Sequence, residues 1–182
     1  SGDEEARLTY IGAVGGLVTH TESVAVVDLG GGSTEVVQGV GAELRSGVSL
    51  ELGSTRLTED YLGNEEIDHK RYKAMVSRIT DLTGNLSINA TPEKVICVAG
   101  TATTLAAISL GLSEWDPVKV HGSVLTRSSL QALIDQLKVA SRRERQKIAA
   151  VAPERADSLL AGATVIDILL GKLGVESTLI SV

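Results

Sequence analysis

The sequence has no phenylalanine, one tryptophan and three tyrosines among 182 residues, so aromatics make up only 2 % of it. Its core must therefore be assembled from Val, Leu, Ile and Ala, which suits a buried sheet flanked by helices. A lone cysteine, Cys97, has no partner for an intrachain disulfide and makes a reducing cytoplasm the default compartment. No apolar run approaches the roughly 20 residues a membrane-spanning helix requires, and no signal peptide opens the chain, so no membrane partner is expected. The formal net charge of −6 weighs against nucleic acid as a partner, because such binding draws on many Lys and Arg contacts to phosphates. A phosphate ligand stays open, since backbone N–H groups and a metal ion bind phosphate without a basic surface.

Common signatures are missing too. There is no Gly-x-x-x-x-Gly-Lys-Ser/Thr loop, Glu35 stands where a dinucleotide fingerprint needs its third glycine, and no Gly-x-Ser-x-Gly elbow makes Ser33 a nucleophile. His20, His69 and His121 lack the spacing of zinc ligands. The chain begins without a methionine and stops inside the apolar run 179–182, which points to a fragment of a longer protein.

What is present reads as α/β. A helix is predicted from Gly2 or Asp3 to about Ala13, with Ser1 and Glu4 spaced as a capping box. Apolar strands follow at about 24–29, 33–38 and 42–48, joined by turns into an antiparallel meander. Tyr72, Met75, Ile79, Leu82 and Leu86 then recur at helical spacing, predicting a long amphipathic helix from about Glu65. Beyond it come a strand at 95–99, a small-residue helix ending near Gly111, a strand at 120–125 and a helix capped by Thr126. A capping box at Ser141 and Glu144, a last helix from Pro153 to Gly174 and a strand at 177–182 complete the chain. A three-strand meander followed by helix-linked strands fits a ribonuclease-H-like lobe.

The strongest chemical signal is Val26 to Val37, where three glycines separate two strands. Gly30, Gly31 and Gly32 let the backbone approach a ligand and aim N–H groups at it, with Ser33 and Thr34 adding hydroxyls. Asp28, at a strand end, suits a hydrated magnesium ion, which prefers one or two carboxylates with water and phosphate. A plain flexible hairpin is the competing reading. The segment Ala99 to Thr104 joins a strand to a helix start through glycine and hydroxyls and would expose N–H groups to an anion. Taken alone, it is more simply a capped helix. Glu4 and Glu5, taken alone, merely complement a helix dipole. Lys138, Arg142, Arg143, Arg145 and Lys147 read first as a solvated helix face.

Ser1-Gly2-Asp3-Glu4-Glu5-Ala6-Arg7, about twenty residues ahead of Asp28 to Glu35, resembles the exopolyphosphatase and guanosine pentaphosphate phosphohydrolase family. Val98 to Thr103, Val120 to Gly122 and Pro153 to Asp157 resemble that family's later segments. The resemblance implies a lobe of the actin-like ATPase superfamily that hydrolyses terminal phosphoanhydride bonds of polyphosphate or guanosine pentaphosphate with Mg2+. It implies Glu5 as catalytic base, and Asp28 and Glu35 as metal- and phosphate-site carboxylates. Gly30, Gly31, Gly32 and Ser33 would form one phosphate loop, and Gly100 and Thr101 another. The family's first lobe is missing, so residues 1–22 are expected to form a catalytic hinge helix and linker, and 23–182 the second lobe. Its partners would be the substrate and that first lobe; the surface left by the missing lobe makes a homodimer a further expectation. Two alternatives share the glycine loops: a binding module for polyphosphate or alarmone without turnover, and a kinase of the same superfamily. The Glu5 segment weighs against the kinase.

Overall fold

The computed structural model describes residues 2–63, 66–87, 90–149 and 152–182; the side chains of Gly2, Asp3 and Glu5 lie outside the described residues. One six-stranded sheet forms the centre of the molecule. Its strands are β1 (Ser23–Leu29), β2 (Thr34–Val40), β3 (Glu43–Leu50), β4 (Lys94–Val98), β5 (Val124–Thr126) and β6 (Ser177–Ile180), in the order β3-β2-β1-β4-β6-β5. The first three form the antiparallel meander, β4 joins β1 in parallel, β6 joins β4 in parallel, and β5 returns antiparallel at the edge. This is the ribonuclease-H-like arrangement expected from the sequence.

Strand alternation divides the apolar residues between two faces. Ala25, Val27, Leu29, Val36, Val95, Cys97 and Ile180 point into the larger core. That face is covered by α3 (His69–Gly84), α4 (Ala99–Ser109), α6 (Arg127–Val139) and α8 (Leu159–Leu173), of which α8 buries eleven residues. Burial pushes the Cys97 thiol up to about 12, so it stays protonated at neutral pH and behaves as a small core side chain. Among the described residues, the opposite face carries one helix, α1 (Gly2–Val14), whose Tyr10, Ala13 and Val14 pack on Val24, Val26, Val37 and Ile96. Asp28 follows Val24 and Val26 in register, and Glu35 precedes Val37. Both carboxylates therefore belong to the α1 face.

Several elements depart from the sequence reading. A short helix, α2 (Ser54–Leu57), runs into a π-helical turn at Thr58–Leu62, and neither was expected. The long helix starts at His69, because Asp68 accepts from the Arg71 N–H as its cap, and it ends before Leu86. The strand expected at 120–125 is mostly another element. Asp116 caps α5 (Pro117–Val120) through the N–H groups of Val118 and Lys119, and Gly122 at φ 74 turns the chain into the shorter β5. Pro153–Arg155 forms a separate 3-10 turn before α8. The Ser141–Glu144 capping box forms at the start of α7 (Arg142–Ile148). The basic run there is only partly a solvated face, since Arg145 is buried and donates to the Ala140 carbonyl at 2.9 Å.

A buried hydrogen bond ties α1 to the turn between β2 and β3. The buried Tyr10 hydroxyl donates to the Gly41 carbonyl at 2.9 Å. Tyr10→Phe removes that bond while keeping the ring, and should cost about 1 kcal/mol in urea unfolding.

Candidate functional site

The β1–β2 hairpin sets the site. Its register places Asp28 opposite Glu35 and Leu29 opposite Thr34, so two carboxylates face each other across one antiparallel pair. Like charges directly opposite one another are unfavourable unless a cation sits between or beside them. Glu35 in turn accepts a hydrogen bond from the Ser49 hydroxyl of β3 at 2.7 Å. Asp28, Ser33, Glu35 and Ser49 line a cavity of about 610 Å³ between the sheet and α1, where Ala6 and Thr9 form the helical wall. Among the described residues no Lys or Arg lines it. The pair thus fits a small hydrated cation of the magnesium type, which takes few protein carboxylates and keeps its water.

The glycine loop is held from behind. Gly30 accepts from the Ser54 N–H at 3.0 Å, and Gly31 accepts from Thr55 at 3.1 Å and Arg56 at 3.0 Å. The first-turn donors of α2, which have no partners inside their own helix, are thereby satisfied by loop carbonyls. This requires an unusually close approach at Gly53: a Cβ there would lie 2.1 Å from the Gly31 oxygen. At Gly31 a Cβ would sit 3.1 Å from Thr55 Oγ1, whereas at Gly32 it would meet nothing within 4 Å. The three glycines therefore differ. The Gly30 N–H donates to the Ser33 carbonyl at 3.0 Å and is used within the loop. The exposed Gly31 and Gly32 are the members of the loop open to a ligand. Thr34 is wholly buried, donating to the Leu52 carbonyl at 2.5 Å.

The second loop lies at the junction of β4 and α4. Ala99 has φ 72, a left-handed conformation that a residue with a Cβ adopts at a cost. Gly100 follows, and the Arg155 guanidinium lies against it: a Cβ on Gly100 would fall 2.3 Å from Arg155 Cζ. The Thr101 hydroxyl is buried, 3.3 Å from Ser54 Oγ, and its methyl packs on Gly162. It therefore joins α4 to α2 and α8. Gly100 and Thr101 are brought beside the first loop through this Ser54 contact, since Ser54 also donates to the Gly30 carbonyl. The Glu5 side chain lies outside the described residues, although Ala6 and Thr9 of the same helix line the cavity that contains Asp28.

Sequence reasoning missed three residues of the site. Ser49 holds Glu35, Gly53 allows the loop its support, and Arg155 rests on Gly100. Only Arg155 had a visible signal, in the segment Pro153 to Asp157 that resembles the family. His121, which had no assigned role, accepts the Val182 N–H on Nδ1 at 3.3 Å.

The fold and the hairpin define a ribonuclease-H-like lobe of the actin-like ATPase superfamily. A model of the Ppx/GppA phosphatase family matches residues 1–181, and the chain belongs to that family. It is 32 % identical over 177 residues to Exopolyphosphatase 2 of Mycobacterium tuberculosis, a match that covers 95 % of this chain and 55 % of the relative. A bifunctional 3-dehydroquinate synthase/phosphatase of Fusobacterium nucleatum is 27 % identical over 190 residues, covering all of this chain and 28 % of the relative. The crystal structure of an Aquifex aeolicus Ppx/GppA phosphatase superposes with a TM-score of 0.90 at 30 % identity, covering 98 % of this chain and 59 % of that one. The chain thus spans about half the length of the exopolyphosphatase it matches.

Two substitutions test the loop geometry. Gly53→Ala should destabilise the protein by roughly 2 kcal/mol or more in chemical denaturation, because a backbone-to-backbone contact has nowhere to yield. Ala99→Gly should raise stability by about 0.5 kcal/mol, the relief at positive φ slightly exceeding the added entropy of the unfolded chain.

Proposed function

We propose that this lobe is half of the active site of a phosphoanhydride hydrolase that removes terminal phosphates from polyphosphate or guanosine pentaphosphate. The observation that carries the reading is the Asp28–Glu35 pair, opposed across the hairpin whose loop carries the exposed Gly31 and Gly32, with Ser33 of that loop lining the same cavity. Phosphoryl transfer needs charge neutralisation, in-line placement of water and a base, with little covalent work by the protein.

Each need has a candidate in this chain. Gly31, Gly32 and Ser33 would bind phosphoryl oxygens through N–H and hydroxyl donors, and the support from α2 keeps those donors in place before the ligand arrives. Asp28 and Glu35 would hold Mg2+, which when bound neutralises phosphate charge; Ser49 keeps the Glu35 carboxylate oriented. Glu5, on the same helix as Ala6 and Thr9, is the proposed base that takes a proton from the attacking water. Gly100 and Arg155 would contact the ligand from the second loop, where a guanidinium suits phosphate oxygens. The opposite wall would come from a first lobe; the exopolyphosphatase that the chain matches is about twice as long. With Cys97 kept as a thiol, the cytoplasm is the proposed compartment. Among the described residues no helix is long and apolar enough to cross a membrane.

Turnover and binding separate this reading from a non-catalytic sensor. In a protein that joins this chain to a family first lobe, phosphate release from both substrates should require Mg2+. Glu5→Gln should lower kcat about 100-fold or more with binding retained. Asp28→Asn should weaken Mg2+-dependent binding about tenfold. Unchanged phosphate release in Glu5→Gln would remove Glu5 as the base. Tight binding with no release in the parent protein would establish the sensor.

A further inference from the structure

The 3-10 turn that carries Arg155 brings opposite charges close together along the chain. The exposed Arg155 guanidinium rests on Gly100 so closely that a Cβ there would collide with it. Asp157 stands two residues further on, yet among the described residues Arg155 makes no ion pair. Glu154, immediately before Arg155, is exposed, so water and salt screen its attraction. Asp157 is a stronger competitor, because its side chain is only 26 % exposed and a partly buried carboxylate attracts a nearby cation more strongly.

What occupies Asp157 is Arg142, the first residue of α7. Its guanidinium grips the carboxylate as a fork, with Nη2 donating to Oδ2 at 2.9 Å and Nε lying 3.2 Å from Oδ2 and 3.3 Å from Oδ1. A cation in the first turn of a helix opposes the helix dipole, so this placement does nothing for α7 itself. The backbone of the turn has other supports. The Ser158 N–H and hydroxyl both donate to the Arg155 carbonyl, at 3.0 and 3.1 Å, and the Thr58 hydroxyl reaches the Asp157 carbonyl at 3.4 Å. The Arg142 fork therefore fixes the Asp157 carboxylate more than the chain around it. Stripped of that fork, a partly buried carboxylate needs another cation, and Arg155 is two residues away.

We propose that Arg142 is a positioning residue: by sequestering Asp157 it keeps the Arg155 guanidinium unpaired on Gly100 and available to an anionic ligand. Arg142 acts through Asp157 and Arg155, not on the ligand. This rests on the reading of Arg155 as a ligand contact. Without Arg142, the Asp157 carboxylate pairs with Arg155, cancels its charge and draws it off Gly100.

Calorimetric titration of the 182-residue chain with tripolyphosphate, in Mg2+, tests this. Arg155→Gln should weaken binding about tenfold, and Arg142→Ala by a similar factor. Arg142→Lys keeps the charge but loses the fork, and should fall between Arg142→Ala and the parent. The decisive variant joins Arg142→Ala to Asp157→Asn. With the competing carboxylate gone, binding should return to within about threefold of the parent. A double variant as weak as Arg142→Ala alone would show that Arg142 only braces the turn. Arg142→Ala binding like the parent would show that Asp157 does not compete. Either result overturns the proposal and leaves Arg155 as a ligand contact. Arg155→Gln binding like the parent, or a parent chain that binds no tripolyphosphate, overturns the ligand role of Arg155 and the proposal together.

Discussion

The site depends on one close approach of backbone to backbone. Gly53 lies so near Gly31 and Gly32 that only a residue without a Cβ fits, and this lets the first N–H groups of α2 reach the carbonyls of Gly30 and Gly31. The contact solves two problems at once. It satisfies donors that would otherwise be orphaned at a helix start, and it fixes the direction in which the glycine loop points. The carbonyls of Gly30 and Gly31 are committed to α2, while Gly32 is exposed and a Cβ there would meet nothing within 4 Å. Ser54 extends the same support sideways to Thr101, so the hairpin loop and the β4–α4 junction are braced by one short helix.

Electrostatics supplies the second constraint. Asp28 and Glu35 oppose each other on the sparsely covered face of the sheet, in a cavity whose described walls contain no basic side chain. The larger core on the other face provides the burial that holds such an arrangement in place. Because, among the described residues, α1 is the helix that covers the face of the candidate site, and Tyr10 ties it to the β2–β3 turn, that helix is positioned by contacts beside the cavity it walls. The larger core and the candidate site therefore lie on opposite faces of the sheet.

Much of the fold was legible in the sequence because it is written in local patterns. The apolar run from Val24 to Leu29 marks β1, helical spacing marks α3, and Ser141 with Glu144 marks α7. Asp28, Glu35 and the glycine string stood out for the same reason. What was not legible depends on contacts between distant segments. Nothing local in Ser54–Leu57 announces α2, whose cap is the glycine loop more than twenty residues earlier. Gly53 looks like any turn glycine until Gly31 is set against it, and Ser49 gains meaning only once β3 pairs with β2. The reading of 120–125 as a strand followed its apolar content; Asp116 and Pro117 supplied a helix start that outweighed it. Even the triple glycine was understood only in part, since Gly30 serves the loop itself and Gly31 serves the packing against Thr55.

The central claim is that the outward-facing backbone of the glycine loop, beside Asp28 and Glu35, receives phosphate. Backbone amide resonances of the isotopically labelled chain, followed during titration with tripolyphosphate in Mg2+, report on it directly. The account predicts that Gly31 and Gly32 shift strongly and saturate together, while Gly30, whose N–H is already bonded to Ser33, shifts less. Saturable shifts confined to other regions, with Gly31 and Gly32 unmoved, would contradict it.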